Sequence, residues 1–221
     1  MKPIYLCCGY DPRERVGFHV FEHSVLERTS APVCFFPMAQ LGVDSGSNAF
    51  TLSRFLVPAL MQFKGHAIFV DGCDMLCMDD IAKLDALFDP EYALQVVQHP
   101  AYQTKHQIKY VGTSMQCPNT NYERKNWASV MLINCAHPEW AWCTPDAVSR
   151  STPMHLLQLS AFSKVGSLPA RWNCLVDEGQ DDSDAAILHW TAGVPGIREY
   201  SDGPRALDWH AARASMNADI A

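Results

Sequence analysis

The sequence has no CxxC pair, no polybasic run, no internal repeat and no stretch of about 18 consecutive apolar residues. Each absence excludes a class. Without CxxC spacing, a zinc ribbon or a dithiol redox site is unsupported. The nine cysteines are an odd number, and their only close pairs are Cys7-Cys8 and Cys73/Cys77, so buried thiols are expected rather than a disulfide framework. Seventeen Lys and Arg against 24 Asp and Glu leave a charge of −7, which argues against a nucleic-acid partner. The missing polybasic run argues against an anionic membrane surface. The missing apolar run leaves no expected transmembrane segment. The opening Met1-Lys2-Pro3-Ile4-Tyr5-Leu6-Cys7-Cys8-Gly9 is too short for a signal-peptide core, so a cytoplasmic location is expected.

What remains is ordinary globular material: 221 residues, 48% apolar and 19% charged, expected to form one domain over 1–221. Residues 2–8 read as a short buried strand closed by Gly9-Tyr10-Asp11-Pro12. Val16, His19, Val20, His23 and Leu26 then recur at helical spacing between Glu14 and Arg28. A second strand follows over Pro32–Met38. Phe50–Phe63 is a second amphipathic stretch in which Pro58 is expected to kink or divide a helix. His66–Val70 is a third apolar run, Tyr92–Val97 and Ser129–Asn134 are further strand candidates, and Pro138–Phe162 reads as mostly helical with breaks at Pro145 and Pro153. Strands alternating with helices predict an α/β domain with a mostly parallel central sheet, whose ligands bind beyond the carboxyl ends of the strands.

The third run ends there in Val70-Asp71-Gly72-Cys73-Asp74. Two neighbouring carboxylates repel unless a cation lies between them, and hard oxygen ligands suit Mg²⁺ or Mn²⁺. The same residues also fit an acidic helix start, since Asp79, Asp80 and Asp85 follow. Near the C-terminus, His189 closes the apolar run Ala186-Ile187-Leu188 and precedes Gly193. A lone histidine there is usually structural. Placed against the acidic loop it supplies a nitrogen ligand, and a mixed N/O set favours Mn²⁺ over Mg²⁺.

Together with several other segments, these features resemble a small glycosyltransferase of the GT-A fold, similar to glycosyltransferase family 8. Tyr10-Asp11-Pro12-Arg13-Glu14 resembles the nucleotide-contacting loop after the first strand. Thr51-Leu52-Ser53-Arg54 resembles the segment whose Arg faces the donor. Phe69-Val70-Asp71-Gly72-Cys73-Asp74 resembles the acidic metal loop, and Val130-Met131-Leu132-Ile133-Asn134 the strand beneath the donor sugar. Leu168-Pro169-Ala170-Arg171-Trp172-Asn173 resembles the LPxxWN stretch, and His189 stands where the late metal-binding histidine falls. The resemblance implies a single Rossmann-like domain of the nucleotide-diphospho-sugar transferase superfamily. It implies transfer of a hexose from a nucleotide sugar, usually a UDP-sugar, with retention at the anomeric carbon. Asp71, Asp74 and His189 would be the metal ligands, for Mn²⁺ or Mg²⁺. Tyr10, Asp11, Arg13, Arg54, Asp71, Gly72, Cys73 and Gly193 would bind the donor. The acceptor class, whether glycan, lipid, protein or small molecule, stays open, and no nucleophile or base is assigned.

The sequence also departs from the family. Two residues, not one, separate Asp71 from Asp74. Trp127-Ala128-Ser129 stands in place of Asn-Ser-Gly before the central strand, and Ser160-Ala161-Phe162-Ser163-Lys164 carries no acidic or amide pair. The family's late Lys is absent, with Arg198 the nearest cation after His189. Two competing readings follow. One is a degenerate transferase that binds a nucleotide sugar without turning it over. The other is a zinc metallopeptidase, because His19-Val20-Phe21-Glu22-His23 has HxxEH spacing.

Overall fold

The computed structural model describes residues 2–39, 41, 43 and 47–218. Eleven strands are present among them: β1 Ile4–Gly9, β2 Val33–Met38, β3 His66–Val70, β4 Met75–Cys77, β5 Leu94–Val97, β6 Ile108–Lys109, β7 Cys117–Pro118, β8 Val130–Asn134, β9 Val165–Leu168, β10 Cys174–Leu175 and β11 Ile187–His189. The central sheet has the order β2-β1-β3-β8-β5-β9. Only β8 runs against the others, pairing antiparallel with β3 and β5. β1, β3, β5 and β8 read as near-continuous apolar runs because both their faces are covered, and all five residues of β8 are buried. This is the mostly parallel α/β sheet the sequence predicts.

The helical segments are shorter than expected wherever proline intervenes. Pro58 divides its stretch rather than kinking it: it occupies the first turn of Val57–Leu60, which follows the separate 3₁₀ segment Ser53–Leu56. Pro138, Pro145 and Pro153 likewise each open a separate short piece, the last two capped by Thr144 and Thr152. The stretch from Pro138 to Phe162 is therefore three helical fragments rather than one broken helix.

Helix Arg15–Leu26 crosses behind the acidic loop, and the approach is very close. A Cβ on Gly17 would lie 1.9 Å from the carbonyl oxygen of Cys73. Glycine is required there because two backbones meet. A second sheet, β10-β11-β4, extends the fold beyond that loop. Its own apolar cluster of Leu76, Leu188, Trp190 and Trp209 ties it to the C-terminal helix Ala206–Met216. β4 leaves the acidic loop directly and pairs antiparallel with β11, with Met75 opposite His189. That register, distant in sequence, carries the histidine to the carboxylates.

Candidate functional site

A cleft of about 360 Å³ opens beyond the carboxyl end of β3, and Arg54, Asp71, Asp74, Lys109, Lys125 and His189 are among its lining residues. The acidic loop reaches it through a tight turn. Gly72 adopts φ +75°, the Cys73 amide donates to the Asp71 carbonyl at 2.8 Å, and Met75 donates to the Gly72 carbonyl at 3.1 Å. The turn absorbs the extra residue: Cys73 points inward, its thiol donating to the Gly9 carbonyl at 3.3 Å, while Asp71 and Asp74 both face the cleft. The Trp190 amide donates to the Asp74 carbonyl at 2.9 Å and locks the loop to the strand that carries His189.

One potential ligand atom from each of Asp71, Asp74 and His189 lies within 4.8 Å of the other two, and all three residues are buried. His189 Nε2 is 3.6 Å from Asp74 Oδ2. One oxygen of each carboxylate, Asp71 Oδ1 and Asp74 Oδ1, is buried without a hydrogen-bond partner. Arg54 Nη1 lies 2.7 Å from Asp71 Oδ1, an ion-pair contact off the hydrogen-bonding direction; the same nitrogen donates to the Ala128 carbonyl and Nε to that of Thr51. Burial pushes the Asp71 carboxyl above the usual carboxylate range, opposed by Arg54 and reinforced by Asp74. At Asp74 burial acts in the same upward direction, but His189 outweighs it and the carboxyl is lowered. Burial disfavours the His189 imidazolium, yet Asp74, Asp71 and Asp177 together raise its pKa above the ordinary value. Buried, incompletely satisfied carboxylates converging with an imidazole are a donor set that fits a divalent cation of mixed oxygen and nitrogen preference.

The remaining residues expected at the donor site lie elsewhere. Asp11 is consumed by its own neighbours: Arg13 Nε and Nη2 donate to its two oxygens at 2.9 and 2.6 Å, and the Ala49 amide donates at 3.0 Å. Tyr10 packs edge-on against Phe18. Gly72 and Cys73 shape the turn without lining the cleft. Gly193 abuts the ring of Tyr200, and Arg198 is exposed away from the cleft. Trp172 and Trp190 are core residues.

Two cations in the cleft carry no carboxylate partner within 4.0 Å among the described residues. Lys125 is buried, and its ammonium donates to Asn119 Oδ1 at 2.7 Å and to the Thr120 carbonyl at 2.8 Å. Burial, aided by the nearby Lys109 charge, lowers its pKa to about 8. Lys109 reaches the cleft from the β6–β7 ribbon. The sequence marks Lys109 only as part of a basic loop with Lys105 and His106, and nothing in the local pattern marks Lys125, because its burial depends on the Pro118–Asn126 loop closing over it.

The HxxEH histidines do not form a metal centre. His19 faces Glu22 at 3.3 Å, and His23 turns to Ser215 and Glu27 beside the C-terminal helix. Among the described residues, Asp71, Asp74 and His189 form the one cluster of potential ligands.

No protein-family model matches the chain. Protein CDI of Arabidopsis thaliana is 36% identical over 226 residues, covering 94% of this chain and 85% of that protein. Among solved structures, the galactosyltransferase LgtC in complex with donor and acceptor sugar analogues superposes with a TM-score of 0.60 at 14% identity, covering 98% of each chain. The apo bifunctional glycosyltransferase WbbM gives 0.60 at 11% identity, over 95% of this chain and 51% of that one, so the present chain spans about half of WbbM. The apo glycosyltransferase GlyE of Streptococcus pneumoniae TIGR4 gives 0.55 at 13% identity, over 97% and 63%. At these identities the likeness shows the fold.

Proposed function

The chain belongs to the family of Protein CDI from Arabidopsis thaliana and has the GT-A glycosyltransferase fold, and from that premise we propose that it transfers a hexose from a nucleoside-diphosphate sugar, with a divalent cation held by Asp71, Asp74 and His189. The observation that carries the proposal is the convergence of these three buried side chains in a cleft at the carboxyl end of β3. The resemblance to glycosyltransferase family 8 makes a UDP-sugar the first donor to test and retention the expected stereochemistry. It also makes Mn²⁺ the first metal to try, with Mg²⁺ the alternative.

Bond cleavage at the anomeric carbon leaves negative charge on the departing diphosphate. When bound, the cation supplies Lewis-acid stabilisation of that charge. The chain's own residues do the remainder. Arg54 holds Asp71 in place through its contact at 2.7 Å. Lys109 and Lys125 present uncompensated positive charge to the cleft, in the role left open by the missing late Lys. The ammonium of Lys125 has three donors and spends two on Asn119 and Thr120, which leaves one for an anion.

A thermal-shift screen of UDP-, GDP- and ADP-sugars with Mn²⁺, repeated in EDTA, tests the proposal, because ligand binding raises Tm by mass action. A metal-dependent shift that is lost in Asp74→Ala and His189→Ala is expected, together with slow release of nucleoside diphosphate from the donor. Unchanged donor affinity in both variants would overturn the metal assignment. Donor binding without turnover on any sugar favours the degenerate, binding-only reading.

A further inference from the structure

Behind the cleft, His189 is the end of a chain of buried polar groups. Its Nδ1 lies 2.8 Å from Asn173 Oδ1, and Asn173 is fully buried. The amide nitrogen of Asn173 donates to the main-chain carbonyl of Asn126 at 2.9 Å and lies 3.2 Å from His99 Nε2. Asn126 adopts a left-handed conformation, φ 63° and ψ 4°, at the entry to the 3₁₀ turn Trp127–Ser129 that leads into β8. Asn tolerates that conformation better than most residues with a side chain.

These contacts determine which way round the Asn173 amide stands. The Asn126 carbonyl can only accept, so the group 2.9 Å from it must be the NH₂ end. The reversed amide would set two oxygens against each other in a buried place, which is costly. The oxygen of Asn173 therefore faces His189, and an oxygen there can only accept. His189 must carry its hydrogen on Nδ1. In the neutral ring the lone pair is then on Nε2, the nitrogen 3.6 Å from Asp74 Oδ2 on the cleft side.

We infer that Asn173, oriented by the Asn126 carbonyl, is a positioning residue that fixes the Nδ1–H tautomer of His189 and so aims the Nε2 lone pair at a cation beside Asp74. The inference rests on the metal reading above for its purpose, but not for its geometry. It gives a chemical reason for the Asn of the LPxxWN-like stretch. Asn173 does not line the cleft; it acts through the histidine. A hydrogen-bonded partner on the non-ligating nitrogen typically alters metal affinity by about 10- to 100-fold.

Two measurements test it. Long-range ¹H–¹⁵N correlation spectra of the histidines in the metal-free wild-type protein, at alkaline pH where the ring is neutral, should show His189 protonated at Nδ1. Protonation at Nε2 overturns the inference, and no variant is needed. Second, Mn²⁺ affinity measured by titration calorimetry should fall about 10- to 100-fold in Asn173→Leu, with circular dichroism showing that the variant is folded. Equal Mn²⁺ affinity in folded wild type and Asn173→Leu also overturns it. A wild-type protein with the Nδ1–H tautomer but no Mn²⁺ binding instead removes the metal reading and leaves the tautomer assignment standing.

Discussion

Arg54 Nη1 lies 2.7 Å from Asp71 Oδ1, with only 5% and 11% of the two side chains exposed. The guanidinium also donates to the carbonyls of Thr51 and Ala128, which fixes it against Asp71. Removing one member of a buried pair leaves the other charge uncompensated. Arg54→Met should therefore lower stability by on the order of 3 kcal/mol and Tm by roughly 6–12 °C in the absence of metal. Saturating Mn²⁺ is expected to recover part of that loss by neutralising Asp71. Differential scanning fluorimetry with and without Mn²⁺ checks this; an identical loss in both conditions would show that Asp71 does not meet the cation.

The turn that joins the carboxylates gives a second prediction. Gly72 has room for a methyl group, since its nearest non-neighbouring atoms would be 3.5 Å away, but its φ of +75° disfavours any side chain. Gly72→Ala should cost about 1 kcal/mol through the backbone alone. Gly17→Ala is a different case: the added Cβ would meet the Cys73 carbonyl at 1.9 Å, and neither backbone can yield without moving the loop. Its loss of Tm should exceed that of Gly72→Ala, and its Mn²⁺ affinity should fall because the Asp71–Asp74 turn is displaced. Thermal melts and Mn²⁺ titrations of both variants distinguish backbone strain from collision.

Much of this architecture is legible in the sequence. Apolar runs at strand length mark β1, β2, β3, β5 and β8; all of these but the edge strand β2 are buried on both faces and so have no polar alternation to hide them. Asp71, Asp74 and His189 are legible as ligand types, and the spacing that departs from the family is accommodated by Gly72, the residue best suited to a left-handed turn. Pro58, Pro145 and Pro153 read as interruptions and do divide their stretches; the local pattern does not show that each also starts the next helical piece, where a missing amide hydrogen is harmless in the first turn. The misses have physical causes. Asp11 and Arg13 look available for a ligand until the fold places two residues of one turn in a mutual fork. Lys125 and Asn173 owe their positions to contacts made across the chain, which no local pattern records.

Stability should depend on pH through His99. Burial, with a smaller contribution from His189, lowers its pKa from 6.5 to about 4. Its two ring nitrogens face the amide nitrogens of Asn173 and Gln180 at 3.2 Å each; the neutral ring can accept from one of them, whereas an imidazolium can accept from neither and sets donor against donor at both. The folded-state pKa lies below the unfolded one, so the unfolded chain binds the extra proton between about pH 6.5 and 4. The His99 contribution is fully present above pH 6.5, declines as pH falls through that window, and levels off below about 4, for a total on the order of 3 kcal/mol. Urea melts of wild type and His99→Gln across pH 4 to 8 isolate it. The stability difference between the two should narrow on acidification, and a constant difference would rule out a His99 contribution.

Anion binding should depend on pH through Lys125. In the ligand-free cleft its pKa is lowered to about 8 by burial and by Lys109. A bound diphosphate favours the ammonium, so the pKa rises on binding. By linkage, the attraction is then fully available below about pH 8, declines as pH rises above that value, and is gone only above the higher pKa of the bound state. The metal ligands and the nucleotide phosphates titrate as well, but they are common to wild type and Lys125→Gln, so the ratio of the two UDP affinities at fixed Mn²⁺ reports the lysine. A charge-assisted hydrogen bond contributes about 1.5–3 kcal/mol, so the ratio should be at least about tenfold at pH 7. At pH 9, where most of the ligand-free protein carries a neutral amine, it should shrink toward one. Calorimetric UDP titrations at both pH values measure it. A large ratio that does not change between them would mean that Lys125 acts by shaping the cleft rather than by its charge.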